Sequence, residues 1–383
     1  MHRKAVTPAT ARARTSASVS VKKEEAEEEK EVEAAPPPPN VAALVVPLHH
    51  QGRVRALASA NSLSEEATPW LVSAGEDRDV CICNASTGEL VRRISGFTGR
   101  PGHPGHTDKI YAVQVWLNKA AGFHHIYSAG EDRAIRVWNL ETGKHIQTLA
   151  ELHTDFVHSM RLYDPPTSSS VPQLASASYD RQIILWSVDT GEVKDAIMHD
   201  KVMYGFDINA EARSLASCCG TCIYLWDISS TPSKKTHVLR LHKRTVVSVV
   251  YPTPTLLLSG SDDKTLCVWD PTTGLLVRRI EIGVPAYSLR AYNDGTAQFA
   301  IAGSFAEPYH VFVYNLEDLE LAMTFTGHTN KITSVCLWKD EGRRQKLASA
   351  GWDHAIRTFD LGVVVQDVHA KKLKKKQATS KML

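Results

Sequence analysis

The sequence has no run of eighteen apolar residues, and its N-terminus lacks the apolar segment of a secretory signal. Both absences argue against a membrane-spanning or secreted protein. The seven cysteines have neither the density nor the spacing of a disulfide framework. We therefore expect a soluble intracellular protein with reduced thiols and no membrane partner.

Motifs that mark several enzyme classes are also absent. The sequence has no G-x-S-x-G nucleophile elbow, no G-x-x-x-x-G-K-[ST] phosphate loop, no H-E-x-x-H zinc site and no G-x-G-x-x-G between a strand and a helix. Histidine, serine and aspartate recur at a regular interval instead, which is typical of a scaffold. The sequence predicts no catalytic residues, no metal, no cofactor and no small-molecule substrate.

Two short segments resemble metal or redox motifs. CCGTC, Cys218 to Cys222, contains a Cys-x-x-Cys, but zinc would need two further ligands and a thioredoxin-type motif would open a helix. These cysteines straddle a predicted hairpin turn, where small apolar side chains pack well. His103 and His106 lie three apart in a Pro/Gly-rich loop that offers no further ligand. We interpret both segments as structural.

Charge is distributed unevenly along the chain. Residues 1–40 are basic, then acidic, then proline-rich, and residues 369–383 are lysine-rich, so both are predicted to be disordered tails. The region between them carries 31 Lys and Arg against 35 Asp and Glu, unlike a dedicated nucleic-acid-binding domain. The first 23 residues leave organellar import open by composition, although they lack an apolar face. KKLKKK is either a nuclear signal or a solvated tail.

A twelve-residue segment, SAGEDRAIRVWN from Ser128 to Asn139, recurs along the chain. Its copies share serine, aspartate and aromatic-or-cysteine positions: SAGEDRDVCICN (Ser73–Asn84), SASYDRQIILWS (Ser176–Ser187), SGSDDKTLCVWD (Ser259–Asp270) and SAGWDHAIRTFD (Ser349–Asp360). With two divergent copies, the aromatic-or-cysteine position marks seven units spaced 40 to 55 residues apart: Cys83, Trp138, Trp186, Trp226, Trp269, Tyr314 and Phe359. An active site is assembled once, so the segment belongs to a repeat.

Each unit reads as four antiparallel strands without a helix. A Ser/Ala/Gly-rich strand precedes the aspartate turn, and a strand with alternating inward and outward side chains, such as AIRVW, follows it. A glycine-containing turn such as NLETGK leads to another strand. An upstream apolar strand is introduced by histidine, as in GHTDKIYAV.

The Gly-His, the aspartate turn and the Trp-Asp or Trp-Asn ending together resemble the WD-repeat β-propeller family over residues 41–368. The resemblance implies an all-β fold, a seven-bladed propeller whose blades pack radially around a central channel. It also implies that histidine, serine, aspartate and tryptophan form one hydrogen-bonded network at each blade corner. On this sequence the members would be His106, Ser128, Asp132 and Trp138; His153, Ser176, Asp180 and Trp186; His242, Ser259, Asp263 and Trp269; and His328, Ser349 and Asp353.

Several corners depart from this pattern. The seventh unit ends on Phe359, which cannot donate an indole hydrogen bond. The first unit has Cys83 in the aromatic position and either His49 or His50 in the histidine position. The fourth and sixth units, SCCGTCIYLWD and SFAEPYHVFVYN, have Gly220 and Pro308 where the aspartate should stand. We expect those two corners to be less rigid and differently shaped.

A closed ring needs its last blade tied to its first, because a free radial edge would let the ring open. Two segments compete for this place: Ala42–Leu48, which resembles the family's N-terminal closing strand, and Val363–Val368. We favour the N-terminal segment, because the DLG turn before Val363 is short for an outermost hairpin and Pro47 suits a strand end.

In this family, partners commonly dock on the top face, beside the turn aspartates and the starts of the innermost strands. Ten residues match these positions: Trp352, Tyr179, Phe156, Tyr204, Arg78, Arg133, Arg181, Lys264, Lys109 and Lys331. Ordinary turn chemistry explains isolated charges, whereas exposed aromatic and arginine side chains together are typical of interfaces.

We therefore expect a non-catalytic protein–protein interaction scaffold or adaptor in a multiprotein complex, in the cytoplasm or nucleus. The alternative is a propeller associated with RNA or ribonucleoprotein. In that case the lysine-rich tail would bind phosphate and the aromatic-basic face would stack bases.

Overall fold

The computed structural model describes residues 39–41, 44–47, 49–60, 69–100, 102–118, 122–149, 152–164, 172–293, 298–318, 320–340 and 344–366. The predicted C-terminal tail lies outside the described residues. So does the predicted N-terminal tail, except for Pro39 and Asn40, which begin the first strand.

Strands in this described part form seven sheets, and each sheet is one blade. Two short N-terminal strands come first: β1 (Pro39–Val41) and β2 (Leu44–Val46). Blades 1 to 3 follow: β3 (Val54–Ala60), β4 (Trp70–Gly75), β5 (Val80–Asn84) and β6 (Leu90–Ile94); β7 (Ile110–Asn118), β8 (Phe123–Gly130), β9 (Ile135–Asn139) and β10 (His145–Leu149); β11 (Val157–Tyr163), β12 (Gln173–Ser178), β13 (Gln182–Ser187) and β14 (Val193–Met198).

Blades 4 to 7 complete the ring: β15 (Met203–Asn209), β16 (Ser214–Cys219), β17 (Cys222–Asp227) and β18 (Lys234–Arg240); β19 (Val246–Thr253), β20 (Leu256–Ser261), β21 (Thr265–Asp270) and β22 (Leu275–Glu281); β23 (Ala286–Asn293), β24 (Gln298–Ser304), β25 (Val311–Asn315) and β26 (Leu321–Thr326); β27 (Ile332–Lys339), β28 (Gln345–Gly351) and β29 (Ile356–Asp360). The four-stranded antiparallel units and the seven-bladed all-β fold are thus confirmed.

The middle strands of the blades are buried on both faces. In β13 every residue after Gln182 is buried, so the expected alternation between core and solvent is absent. Each blade is covered by a neighbour on either side, which buries both faces of its sheet. An outermost strand has a hydrogen-bonded strand on one side only and lies at the rim of the propeller. The outermost strand of blade 5, β22, is largely exposed.

The hydrophobic core lies between the blades rather than inside them. Each of seven clusters in the described part joins two successive blades, and the last of these joins blade 7 to blade 1. In that cluster Trp338 and Ile356 of blade 7 meet Leu57 and Leu71 of blade 1. The innermost strands also meet there, because Thr333 Oγ1 donates to the carbonyl oxygen of Val54 at 2.7 Å.

The N-terminal segment closes the ring. Strand β2 pairs antiparallel with β29 and completes blade 7, as favoured above for residues 42–48. Strand β1 pairs in parallel with β26, so this segment also extends blade 6. The competing C-terminal segment forms a helical turn at residues 362–366 instead of a strand.

Ring closure can be tested at two neighbouring positions in β2. Val46 is 1% exposed and packs in the cluster between blades 7 and 1, whereas Val45 is 49% exposed. Val46→Asp should lower the free energy of unfolding by about 3 kcal/mol or more, because it buries an unpaired carboxylate and removes apolar contacts. Val45→Asp should change it by less than about 0.5 kcal/mol. Equal effects in urea denaturation would contradict closure by β2.

Candidate protein-interaction face

A chain of hydrogen bonds fixes the corner of blade 2. The indole Nε1 of Trp138 donates to Ser128 Oγ at 2.8 Å, and that oxygen lies 2.7 Å from His106 Nε2. Nδ1 of His106 is 2.9 Å from the Asp132 carboxylate. Because the Asp132 carboxylate can only accept, Nδ1 of the neutral ring carries the proton and donates to it, and Nε2 accepts from the Ser128 hydroxyl. The histidine is therefore the Nδ1–H tautomer.

The same chain recurs in four other blades, with members His50, Ser73 and Asp77; His153, Ser176, Asp180 and Trp186; His242, Ser259, Asp263 and Trp269; and His328, Ser349 and Asp353. In blade 1 the member is His50, because His49 contacts the carbonyl of Gly88 instead. Cys83 and Phe359 fill the tryptophan position in blades 1 and 7, so those chains end at serine.

These Ser–His–Asp chains resemble hydrolytic triads in geometry but are closed to substrate. Ser128 is 0% exposed, and its oxygen already accepts from Trp138 and donates to His106. The aspartate is also occupied, since Asp132 accepts from the backbone amide of Thr107 at 3.1 Å. The network's role is to hold the turn.

Burial acts to raise the pKa of Asp132, but the hydrogen bond from His106 and the charge of Arg136 outweigh it, so this pKa lies below its ordinary value. Burial lowers the pKa of His106. At neutral pH the pair is thus a carboxylate and a neutral imidazole. The stabilisation from Asp132 is present above its unfolded-state pKa and is lost as the pH falls through the lower folded-state pKa.

Removing a turn carboxylate should destabilise the fold. We expect Asp132→Ala, Asp180→Ala and Asp263→Ala each to lower the free energy of unfolding by about 1–3 kcal/mol, because the buried histidine and the turn amide lose their acceptor. Asp200→Ala, at an exposed position, is the control and should change it by less than about 0.5 kcal/mol. Thermal or urea unfolding measures the effect, and unchanged values in all three variants would refute this role of the network.

Blade 4 keeps the histidine, serine and tryptophan of the hydrogen-bond chain and lacks only the aspartate. His199 Nε2 lies 2.7 Å from Ser217 Oγ, which accepts from Trp226 Nε1 at 3.1 Å. Cys219 pairs directly with Cys222, so the hairpin has a two-residue turn that leaves no place for an aspartate. His199 Nδ1 is buried without a hydrogen-bond partner, and burial lowers the pKa of this imidazole to about 4.

This histidine makes stability depend on pH. Its folded-state pKa of about 4 lies below the ordinary value of 6.5, so the unfolded chain binds the extra proton as the pH falls. The linkage predicts that His199 costs the wild type about 2 kcal/mol of stability between pH 7 and pH 5. His199→Gln should therefore be less destabilised relative to wild type at pH 5 than at pH 7. Parallel stability curves from urea titrations would contradict this prediction.

In blade 6 the strand register corrects the alignment made from the sequence. Ser304 pairs with Ala286, at the first residue of the innermost strand, just as Gly130 pairs with Ile110 in blade 2. Tyr314 pairs with Ala300, just as Trp138 pairs with Ile126 in blade 2. The corner serine lies two residues after that partner, and in blade 6 this position is Ala302. The sequence alignment, which placed Ser304 at the corner and Pro308 at the aspartate position, is therefore wrong by two residues, because the hairpin is longer than in the other blades.

We use the term interaction face for the end of the propeller formed by the aspartate turns and the starts of the innermost strands. Five basic or imidazole side chains follow the turn aspartates there, with left-handed backbones: Arg78 (φ 70°), Arg133 (φ 63°), Arg181 (φ 71°), Lys264 (φ 65°) and His354 (φ 63°). Each of the first four is exposed and forms no ion pair among the described residues. A non-glycine residue in this conformation costs roughly 1 kcal/mol.

Trp352 is held between cations. The guanidinium of Arg53 lies 4.0 Å from its ring centroid, that of Arg55 lies 4.9 Å away, and Lys331 Nζ lies 4.5 Å away. Such contacts between a cation and an aromatic face are attractive and orient both groups. Trp352 and Lys331, both predicted from the sequence, are thus brought together.

Blade 6 adds two aromatic rings to this group. Phe305 meets Trp352 edge-on at 5.5 Å between ring centroids and stacks on Tyr287 at 3.9 Å. The Nε1 atom of Trp352 is buried without a hydrogen-bond partner. We call these six residues, Arg53, Arg55, Tyr287, Phe305, Lys331 and Trp352, the Trp352 cluster.

A second aromatic group lies on blades 3 and 4. Phe156 and Tyr179 are 37% and 38% exposed, and their ring centroids are 6.2 Å apart. His158 lies beneath this pair, with its ring 5.0 Å from that of Tyr179. Tyr204 of the neighbouring blade is 44% exposed. Exposed aromatic groups of this kind are suited to burial by a partner.

Acidic residues neutralise part of the face. Arg55 Nε donates to Glu76 at 2.9 Å, and Lys109 Nζ lies 3.2 Å from Glu131, which also accepts from the Tyr111 hydroxyl at 2.6 Å. Lys109, predicted as a binding residue, is therefore already paired.

The sequence reasoning missed Arg53, Arg55, Tyr287 and Phe305. Arg55 and Tyr287 occupy the same register position of their innermost strands as Tyr204, so alignment of the repeats could have found them. Phe305 follows the irregular strand end of blade 6, and no sequence signal pointed to it.

The cysteines of the segment Cys218 to Cys222 are buried in the hairpin of blade 4. Cys218 Sγ donates to the carbonyl of Gly205 at 3.0 Å, and burial raises the pKa of this thiol to about 12, which suppresses the reactive thiolate. Cys219 and Cys222 flank the two-residue turn of blade 4. Among the described residues, no group of three or more His, Cys, Asp or Glu side chains could hold a metal ion. His103 accepts from the amide of Gly105.

The propeller architecture and the corner networks define the class of protein. The family model described as WD domain, G-beta repeat, matches residues 99–139, 143–187, 233–270 and 319–360. The chain belongs to the WD-repeat β-propeller family. None of the helices in the described ranges is long and apolar enough to cross a membrane.

Three relatives illustrate its similarity to known proteins. The chain is 27% identical over 270 residues to the ribosome biogenesis protein ytm1 of Botryotinia fuckeliana, covering 67% of this chain and 51% of that protein. It is 23% identical over 303 residues to the ribosome biogenesis protein WDR12 homolog of Trichoplax adhaerens, covering 76% and 63%. It is 23% identical over 271 residues to an uncharacterized WD repeat-containing protein of Schizosaccharomyces pombe, covering 68% and 69%. The chain thus spans about half to two thirds of the length of these relatives.

Proposed function

We propose that this chain is a non-catalytic scaffold in a ribosome-assembly particle and that it binds an acidic protein partner through its interaction face. The names of two relatives support the assembly context. The ribosome biogenesis named for these relatives also supports a nuclear or nucleolar location. Because the chain spans only part of those relatives, both points are proposals for this protein.

The observation that carries the proposal is the set of exposed cations with left-handed backbones. Glycine would adopt this conformation without strain, yet four blades place Arg or Lys there: Arg78, Arg133, Arg181 and Lys264. Each accepts roughly 1 kcal/mol of conformational cost and forms no internal ion pair in the described structure. An external acidic surface would give these exposed, unpaired positive charges a role.

The aromatic groups supply the other half of the binding site. Phe156, Tyr179 and Tyr204 offer exposed rings between the cations of blades 2, 3 and 5, and the Trp352 cluster offers rings already oriented by cations. Buried aromatic contacts provide most of the affinity at an interface, whereas exposed charges steer encounter and reject unsuitable partners. The partner we infer therefore carries apolar side chains within an acidic surface.

Glycine substitutions separate binding from stability. Replacing Arg78, Arg133, Arg181 and Lys264 together by Gly should leave the free energy of unfolding within about 1–2 kcal/mol of the wild-type value, because relief of strain opposes the added chain entropy. The same variant should lose acidic proteins that co-purify with tagged wild-type protein from its own cells. Quantitative mass spectrometry of the purified complexes measures this loss.

A matched control removes four cations from the opposite end of the propeller. Arg213 has a φ of 48° and is exposed there, so Arg213→Gly makes the same kind of change, combined with Lys144→Gln, Lys194→Gln and Lys234→Gln. This variant should keep the wild-type partner set. If the face variant keeps that set too, partner recognition lies elsewhere and the proposal fails.

RNA binding is the competing function, and it has a different signature. Direct contact with phosphate would make ultraviolet cross-linking to RNA fall steeply with salt. It would also fall when residues 369–383 are deleted. Cross-linking that depends on the tail, with an unchanged set of protein partners in the glycine variant, would favour the RNA function over the one proposed.

A further inference from the structure

The seven innermost strands share one register around the central channel. Each has a bulge near its start, at Val54/Ala56, Ile110/Ala112, Val157/Ser159, Met203/Gly205, Val246/Ser248, Ala286/Ser288 and Ile332/Ser334. The residues inside the bulges form a mouth layer: Arg55, Tyr111, His158, Tyr204, Val247, Tyr287 and Thr333. The residues after them form a second layer of small side chains: Ala56, Ala112, Ser159, Gly205, Ser248, Ser288 and Ser334.

These layers line an open cavity of about 130 Å³ in the channel, where the small side chains of the second layer leave space beside the larger ones of the mouth. Two positions further along the strands, Gln114, Arg161 and Arg290 also line it. Among the described residues of its wall, none is Asp or Glu, whereas three are arginines and one is His158. The charged side chains in the described wall of the cavity are therefore all cationic.

Two of the three arginines have a carboxylate partner. Arg55 binds Glu76, and Arg161 Nε donates to Asp207 at 3.1 Å. The other oxygen of Asp207 accepts from the amide of Tyr251 at 2.9 Å, so this carboxylate is already shared.

Arg290 is different. It donates to the carbonyl of Leu289 at 3.0 Å and has no carboxylate partner among the described residues. Burial and the neighbouring charge of Arg161 lower the pKa of Arg290 to about 10 against the opposing attraction of the Asp207 carboxylate, so Arg290 is still protonated at neutral pH. A half-buried cation whose neighbouring carboxylate, Asp207, is hydrogen-bonded to Arg161 is only partly compensated, and an anion in the cavity would add to that compensation.

His158 adds a second unused group. Its Nε2 atom is buried and has no hydrogen-bond partner. Burial lowers the pKa of His158 to about 4, so the ring is neutral at physiological pH, and Nε2 can donate to a ligand when it carries the one ring proton. Ser159 and Ser288 of the second layer contribute hydroxyl groups to the same wall.

We propose that the upper channel binds a small oxyanion of the phosphate class, with Arg290 as its principal cationic contact. Phosphate groups fit the site better than a single carboxylate, because they present more acceptor oxygens and more negative charge to a wall of donors. This ligand site shares Arg55 and Tyr287 with the Trp352 cluster, but Arg290 lies further along its strand, so the two proposals are tested independently.

The test uses the full chain with inorganic phosphate, pyrophosphate and acetate as probes, at constant ionic strength set with chloride. Pyrophosphate and phosphate should raise the melting temperature of the wild type in a saturable manner, since they bind the folded state. Arg290→Met should weaken their affinity, measured by isothermal titration calorimetry, by about tenfold or more. The matched control Arg278→Met, on exposed strand β22, should bind as the wild type does.

A second readout guards against a general loss of folding. In anion-free buffer Arg290→Met should be at least as stable as the wild type, because it removes a half-buried charge that forms no ion pair of its own in the described structure. Three results would each overturn the proposal: equal phosphate responses in wild type and Arg290→Met, an equal response of the wild type to acetate, or a clearly less stable Arg290→Met in anion-free buffer.

Discussion

The hydrogen-bond chain from aspartate through histidine and serine to tryptophan is the interaction on which the rest of the propeller depends. In blade 2 it joins His106, which precedes the innermost strand, to Asp132 in the turn between the second and third strands and to Trp138 at the end of the third. One chain of hydrogen bonds thus fixes the segment before the innermost strand, the turn and the third strand of the sheet. In blade 2 its serine and histidine are buried and its aspartate is occupied by hydrogen bonds.

The rigid turn explains how this face can carry unusual residues. With the aspartate fixed on both sides, the residue after it is held in a left-handed conformation whether or not it is glycine, as Arg133 and Lys264 show. Blades 4 and 6 interrupt the pattern for separate reasons. The turn of blade 4 is too short and places Gly220 there, with a φ of 60°. Blade 6 has a longer hairpin and presents Phe305 beside Trp352 instead of a cation.

The repeat made most of the fold predictable, because the corner chain requires specific residue types at fixed intervals. The seven units and five corners follow from that pattern. It could not reveal the register of blade 6, where a longer hairpin moves Ser304 out of the corner and leaves Ala302 in its place. The pattern also did not identify His199 as a corner residue, because blade 4 has no aspartate to pair with it. The candidate site was harder, because contacts such as that between Arg53 and Trp352 join blades 1 and 7, which are distant in sequence.

The charge of the upper channel depends on how each arginine is already engaged. Arg55 lines the cavity but also contacts Glu76 and Trp352, so its position is set by the interaction face. Arg161 is committed to Asp207. A channel ligand that used either one would have to compete with an existing ion pair, whereas Arg290 has none to lose. The face and the channel can therefore share a wall while their binding free energies depend on different cations.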